Sequence, residues 1–322
     1  MSEAIERNHG GVPVRPLGKT GLKVSILGIG GGHIARKYIS EQETVRLYHL
    51  ALDEGLTFFD NAWDYHDGES ERRAGLVIKE RRDEITVMTK VCGRDRETAE
   101  AHLHDSLRRL QTDVIDVWQF HEINYDNDAE WVFASDGAIE AAVAAQKAGK
   151  VRFIGFTGHK LPALLQTMLD QDFDWDTCQL PINVMDAHYR SFQHEILPEL
   201  ERREIGVIGM KSLGGSGQLI TEAGLSPEVC RRYSLSQSIS TLVCGIESEE
   251  NLRQDLEIAR NFLPLTMTEQ QALGNQVKRE ASDGRYEWFK STQYFDGPYH
   301  RDQHGFPPIG HVGQPPDTSD KS

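Results

Sequence analysis

The stretch Val24-Ser-Ile-Leu-Gly28-Ile-Gly30-Gly-Gly32-His33 decides the fold. An apolar run feeding into Gly-x-Gly-x-x-Gly would mark the dinucleotide-binding turn of a doubly wound sheet. The spacing starts correctly at Gly28 and Gly30, but His33 stands where the third glycine belongs. That glycine lets helix and strand pack closely, so a histidine there spoils the fingerprint. The open sheet becomes the weaker rival, and the rest of the chain has to choose.

Outward from this run, short apolar segments alternate with helical periodicity. Ser40-Glu-Gln-Glu43 reads as a capping box, Val45, Tyr48 and Leu52 share a helical face, and Gly55 reads as its stop. Thr57-Phe-Phe runs into Asp60, residues 84–89 into Lys90, and 114–120 into His121. Ala99, Leu103, Leu107 and Leu110 have helical spacing, and 138–148 is an Ala-rich helix. Residues 151–156 precede Thr157, 177–180 form a shorter run, 206–210 lead to Lys211, and 241–244 lead to Gly245. Residues 249–262 read as a helix. With residues 24–29 this gives eight strand candidates separated by helices. Repeated βα units imply a parallel sheet, and eight of them match a closed (β/α)8 TIM barrel of the α/β class.

The barrel is expected over 24–262, close to the ~250 residues typical of that architecture. Residues 12–24, with the turn Leu17-Gly-Lys-Thr-Gly21, read as an N-terminal β-hairpin placed to plug one barrel end. Helices over 263–292 complete a single domain, 1–292, with a C-terminal extension. The tail, 293–322, holds five Pro and four Gly, a composition of irregular chain.

Composition removes several function classes. Hydrophobic residues are 38% and charged residues 26%, a soluble mix. No apolar run approaches the ~18 residues of a membrane span. The start lacks a basic-then-apolar signal pattern, so a cytoplasmic location is expected. Lys plus Arg total 35 against 50 Asp plus Glu, a net charge of −15. Nucleic acid is a poor partner for such a surface, and a phosphate-bearing ligand must find local donors. Cys92, Cys178, Cys230 and Cys244 are far apart with no CxxC, which argues for incidental thiols and against zinc or iron–sulfur ligation. His300, His304 and His311 lie in the Pro/Gly-rich tail without a fixed helical face, so no metal site is expected.

Four polar residues, Asp60, Lys90, His121 and Thr157, stand just after strand candidates, and Tyr65 follows Asp60 by five. Barrel active sites are built where strands end. A Lys beside a Tyr hydroxyl is expected to favour the phenolate and lower its pKa, and a carboxylate would hold the Lys charged. A neutral His can hydrogen-bond a substrate oxygen. The set suits proton donation to a carbonyl that receives a hydride.

At these residues the chain resembles the aldo-keto reductases. The matching segments are Phe59-Asp60-Asn-Ala-Trp-Asp-Tyr65, Thr89-Lys90, Gln119-Phe-His121, Gly149-Lys-Val-Arg-Phe-Ile-Gly155 and Gly206-Val-Ile-Gly-Met-Lys-Ser-Leu-Gly214. Leu17-Gly-Lys-Thr-Gly-Leu-Lys-Val24 fits the family's opening hairpin. The resemblance implies a (β/α)8 barrel that binds NADP(H) or NAD(H) without a Rossmann domain. It implies Tyr65 as general acid in carbonyl reduction and base in the reverse, Lys90 paired with Asp60 to tune it, and His121 to orient the carbonyl.

Cofactor contacts carry over to Gly32, Thr157, Gly158, Gln179, Met210, Lys211, Ser212, Leu213, Gly214, Gly245, Ser248, Asn251, Gln254 and Asp255. Thr157-Gly158 replaces the family's usual Ser-Asn, with His159 a substitute partner, and Met210 replaces a stacking aromatic. Lys211 to Gly217 supplies Gly-rich backbone for the pyrophosphate. Where members selective for the 2′-phosphate place Lys and Arg, this chain has Gly245 and Asn251, beside Glu247, Glu249 and Glu250. That predicts a weakened preference for NADPH, or use of NADH, with Arg253 the one residue able to restore phosphate binding. His33, Trp63 and Trp131 are candidate substrate walls, and Tyr125, Trp131 and Phe133 could cover the site.

The expected function is therefore hydride transfer between a nicotinamide and the carbonyl or alcohol carbon of an aldehyde, ketone or sugar-like small molecule. The rivals are a slow-turnover redox sensor or regulatory subunit and a barrel hydrolase or lyase. Oligomeric state is left open.

Overall fold

The alternation closes on itself. The computed structural model describes residues 5–290 and places eight parallel strands in one closed barrel. Strands β1 (Val14–Pro16) and β2 (Lys23–Ser25) form an antiparallel hairpin ahead of it. The barrel strands are β3 (Leu27–Gly30), β4 (Phe58–Asp60), β5 (Thr86–Val91), β6 (Ile115–Phe120), β7 (Val151–Thr157), β8 (Thr177–Pro181), β9 (Gly206–Met210) and β10 (Thr241–Gly245). Each pairs with the next, and β10 returns to β3 with Leu242 opposite Leu27.

The run 24–29, read as one strand, is divided between the hairpin and the barrel. Ser25 is the cause. Its hydroxyl donates to the Leu27 carbonyl at 2.7 Å and accepts from the Thr57 amide at 3.0 Å, turning the chain at Ile26. The hairpin does plug the barrel. Leu17 and Val24, both fully buried, join Phe58, Met88, Val117, Ile208 and Val243 in an apolar cluster inside the strand ring.

Side chains alternate faces along a strand. The inner apolar residues therefore predict what lies two positions on, at the C-terminal mouth. Phe58 leads to Asp60, Met88 to Lys90, Ile208 to Met210 and Val243 to Gly245. Val117 leads through Gln119 to His121, and Phe153 through Gly155 to Thr157. This one periodicity gathers polar groups at one end of an apolar barrel.

Gly155 marks a close approach between β7 and β8. A Cβ there would stand 2.1 Å from Thr177 Oγ1 and 2.5 Å from the Thr177 carbonyl oxygen. Gly155→Ala is expected to lose about 1–3 kcal/mol, read as a lower urea midpoint at unchanged slope. An unchanged midpoint would show that β8 can yield.

The outer helices bury one face each. In Glu41–Asp53, Leu47, Tyr48, Ala51 and Leu52 are buried, and Val45 is half-buried. Ser40 caps this helix by accepting from the Glu43 amide, but the Glu43 carboxylate turns to Arg46, so only half of the expected box forms. A complete capping box occurs instead at Thr266 and Glu269, opening Met267–Ala281. The chain then returns to the barrel mouth, where buried Lys290 donates to Asp186 and to the Tyr189 carbonyl, each at 2.7 Å. The proposed tail, 293–322, lies outside the described residues. Among the described residues no helix is long and apolar enough to cross a membrane. Cys92, Cys178, Cys230 and Cys244 are all free and buried.

Candidate active site

Strand ends bring Asp60, Lys90 and His121 together, and a turn after β4 adds Tyr65. Lys90 Nζ donates to Asp60 Oδ1 at 2.5 Å, to the Asn61 carbonyl at 2.6 Å and to the Tyr65 hydroxyl at 3.3 Å. Asp60 and Lys90 are almost fully buried. Gln179 Nε2 reaches Asp60 Oδ2 at 3.3 Å. The Tyr65 ring lies over Gly32, where a Cβ would meet it at 3.5 Å. The His121 ring stands edge-on to Tyr65 with centroids 5.6 Å apart.

The electrostatics correct one expectation. Lys90 was expected to lower the Tyr65 pKa. Burial, followed by the carboxylates of Asp60, Asp64 and Glu122, instead pushes Tyr65 well above its ordinary value. Lys90 is already engaged by Asp60 at shorter range. Tyr65 is thus a phenol in the resting site, and burial holds its proton more tightly than in an ordinary tyrosine. Burial also lowers Lys211 below the usual lysine value.

From this tetrad a cleft of about 380 Å³ runs outward to Asn251, Gln254 and Asp255. Of the expected cofactor residues, Gly32, Gln179, Met210, Lys211, Ser212, Leu213 and Gly245 also line it. Thr157 and Gly158 lie beside it: Thr157 pairs with Gln179 across β7 and β8, and the Gly158 amide donates to the Gln179 carbonyl. Gly214 packs against Leu219, and Ser248 caps the helix Glu249–Arg260. Gln179 Oε1 is buried and has no hydrogen-bond partner among the described residues. A carboxamide N–H at the end of the cleft would satisfy it.

A sequence profile of the aldo/keto reductase family matches residues 26–263. The chain belongs to this family of oxidoreductases. It is 28% identical to an L-galactose dehydrogenase of Arabidopsis thaliana, over 80% of this chain and 92% of that protein. It is 31% identical to a probable voltage-gated potassium channel subunit beta of Arabidopsis thaliana, over 36% of this chain and 43% of that protein. Among solved folds, the holo form of the aldo-keto reductase AKR11C1 from Bacillus halodurans superposes with TM-score 0.70 at 21% identity, covering 87% of this chain and 100% of that one. A Klebsiella pneumoniae aldo/keto reductase in complex with NADP and acetate superposes with TM-score 0.66 at 20% identity, covering 81% and 94%.

Within this aldo/keto reductase barrel, several side chains take places that sequence did not assign. Arg231, on the helix Pro227–Leu235, lines the cleft. It is buried against Asp255 at 3.0 and 3.1 Å and donates to Ser212 at 2.6 Å. No local motif marked it. His33, expected at the substrate wall, lines the same cleft as Asp60 and Tyr65, against Gly245 and 2.7 Å from Glu247. Glu247 is also held by Tyr38 and, at 3.3 Å, by Arg36. Arg253, the residue expected to restore phosphate binding, is exposed and tied to Glu249.

The aromatic expectations divide in the same way. Trp63 stacks on His102 at 3.5 Å and donates to Asp105, so it packs against the helix Arg96–Leu110. Burial drives His102 down to about 4, leaving a neutral ring in that stack. Trp131 and Tyr125 form a small cluster of their own in the loop after β6. Phe133 belongs to the outer core, edge-on to Phe173 and Trp175. His159 is buried with Nε2 4.0 Å from Glu122 and its ring edge-on to Phe289.

Proposed function

We propose that this chain transfers hydride between a nicotinamide cofactor and the carbonyl or alcohol carbon of a small aldehyde, ketone or sugar-like molecule. The carrying observation is Lys90 Nζ bridging Asp60 and the Tyr65 hydroxyl at the inner end of the cleft. The bound dinucleotide supplies or takes the hydride, which no side chain can. Gln179 would hold its carboxamide, and Ser212, Leu213 and the glycines that follow would cradle its phosphates. Lys90 orients the Tyr65 hydroxyl, Tyr65 donates its proton to the substrate oxygen, and His121 holds that oxygen in place. The apolar barrel beneath excludes water, which strengthens each of these interactions.

One comparison favours a hydroxylated substrate: the similarity to an L-galactose dehydrogenase spans 92% of that protein. For the cofactor, Glu247 is fixed at the outer cleft and Arg231 is neutralised by Asp255, while Arg253 points to Glu249. A 2′-phosphate finds little free positive charge there, so NADH is expected to bind at least as tightly as NADPH.

A panel of aldehydes, ketones, sugars and polyols, run with both cofactors, tests the activity. Fluorescence titrations give the two Kd values. A strong NADPH preference would overturn the cofactor assignment. Tight cofactor binding with no turnover on any substrate would return the reading to a slow redox sensor.

A further inference from the structure

One face of the His121 ring meets a carboxylate and a thiol. Asp64 lies in the turn after β4, Cys92 directly follows β5, and His121 directly follows β6. These strands are neighbours in the ring, so three residues far apart in the chain meet at its mouth. Asp64 Oδ1, Cys92 Sγ and His121 Nδ1 all lie within 4.8 Å of one another. Asp64 Oδ1 stands 2.9 Å from Nδ1, and Cys92 Sγ stands 3.8 Å from it.

The three do not satisfy one another. The Asp64 side chain is only 10% exposed. Despite its close approach to Nδ1, Asp64 Oδ1 is buried and makes no hydrogen bond among the described residues. Two polar atoms so near, yet not aligned as donor and acceptor, point to a third centre between them. The distances suit a metal. Nitrogen, oxygen and sulfur ligands of a tetrahedral zinc, at about 2.0–2.3 Å from it, stand roughly 3.3–3.6 Å from each other. The edges of 2.9 and 3.8 Å fall on either side of that range. The remaining edge, at most 4.8 Å, closes by rotation of the Asp64 carboxyl.

Charge argues the same way. Burial works against the Asp64 carboxylate, yet the adjacent His121 brings it below its ordinary value, so it is ionised at neutral pH. Burial, followed by the Asp64 charge, pushes the Cys92 thiol well above its own ordinary value. Arg94, the cation that acts on Cys92, is already held by Asp128 at 2.6 Å. A dication that displaces the thiol proton would meet one carboxylate, one thiolate and one neutral imidazole, a set of zero net charge. A coordinating thiol gives up its proton outright, and buried charges are stable where they are paired or hold a metal.

We propose that Asp64, Cys92 and His121 bind one divalent cation of the zinc type, with the Cys92 proton released to solvent. Thiolate and imidazole select zinc over calcium and magnesium, which take oxygen ligands. Three protein ligands leave a fourth position open, a common zinc arrangement. Local spacing could not mark this set, because no two of its members lie near each other in the chain. The cation would tie the His121 ring to the turn after β4 and to the end of β5. It would brace the ring that holds the substrate oxygen, a use that rests on the proposed hydride transfer, whereas the site itself does not.

The test needs no substrate. The full chain, stripped with a chelator, is titrated with zinc against a chromophoric chelator and then with cobalt(II). One equivalent of zinc is expected, and cobalt should show the thiolate-to-metal charge-transfer band of a cysteine ligand. Cys92→Ser should lose that band. Asp64→Asn should keep it and bind zinc at least about tenfold more weakly, since even partners one step removed from a metal cost that much. Zinc bound without a cobalt–thiolate band belongs to other histidines or carboxylates and overturns the proposal. So does a band that persists in Cys92→Ser, or a parent that holds no zinc. Should Cys92→Ser fail to fold, Asp64→Asn still decides, and unchanged zinc affinity there overturns the site. Absence of hydride transfer on every substrate sinks the proposed activity alone and leaves the metal titration standing.

Discussion

Tyr65→Phe is expected to lower carbonyl reduction by about 10²–10⁴-fold, the usual contribution of a positioned general acid. Cofactor Kd should stay within a few-fold of the parent. The substitution isolates one atom. The Tyr65 ring packs over Gly32 and edge-on to His121, and Phe keeps both contacts. The lost hydroxyl touches Lys90 Nζ at 3.3 Å, and Lys90 keeps Asp60 and the Asn61 carbonyl as partners. Fold and stability should therefore change little, and lost turnover would report proton donation. Because burial and three carboxylates hold Tyr65 well above its ordinary pKa, the deficit should be uniform across neutral pH. Full turnover in the variant would mean that the proton comes from another group. A deficit that disappears in mild alkali would mean that the phenolate forms there after all.

The fold was legible because strands and helices wrote different periods into the chain. Period two along each strand carries the inward-facing Phe58, Met88 and Val117 on to Asp60, Lys90 and His121 at one end of the barrel. The tetrad was legible for the same reason: its members sit at or just beyond strand ends, where position in the sequence fixes position in space. Arg231 was not legible. It reaches the cleft only through the packing of its helix against β10, and Asp255, its partner, is 24 residues away. The neighbours of His33 were not legible, because only the closed ring brings β10 beside β3 and Gly245 under its side chain. The direction of the Tyr65 shift was misread for a related reason. Sequence shows that a lysine is near, but not that Asp60 and the Asn61 carbonyl claim its ammonium at shorter range.

Lys90→Met should destabilise the fold by about 3–5 kcal/mol, the cost of stranding a buried charge. Met matches the lysine stem in volume, so packing is largely kept and the loss is electrostatic. Lys90 and Asp60 are 1% and 4% exposed at their side chains. Without the ammonium, Asp60 would retain, among the described residues, only the Gln179 amide at 3.3 Å. The penalty attaches to the ionised carboxylate left without its partner. Asp60→Asn/Lys90→Met, with no charge left to strand, should recover much of the loss, since well-packed neutral replacements of buried pairs often come close to neutral. Both variants should lose most reduction, because the Tyr65 hydroxyl loses its donor in each. Urea denaturation of the two singles and the double gives the coupling directly. If Lys90→Met is as stable as the parent, water reaches Asp60 in the folded barrel, and the dry tetrad on which the Tyr65 argument depends is lost with it.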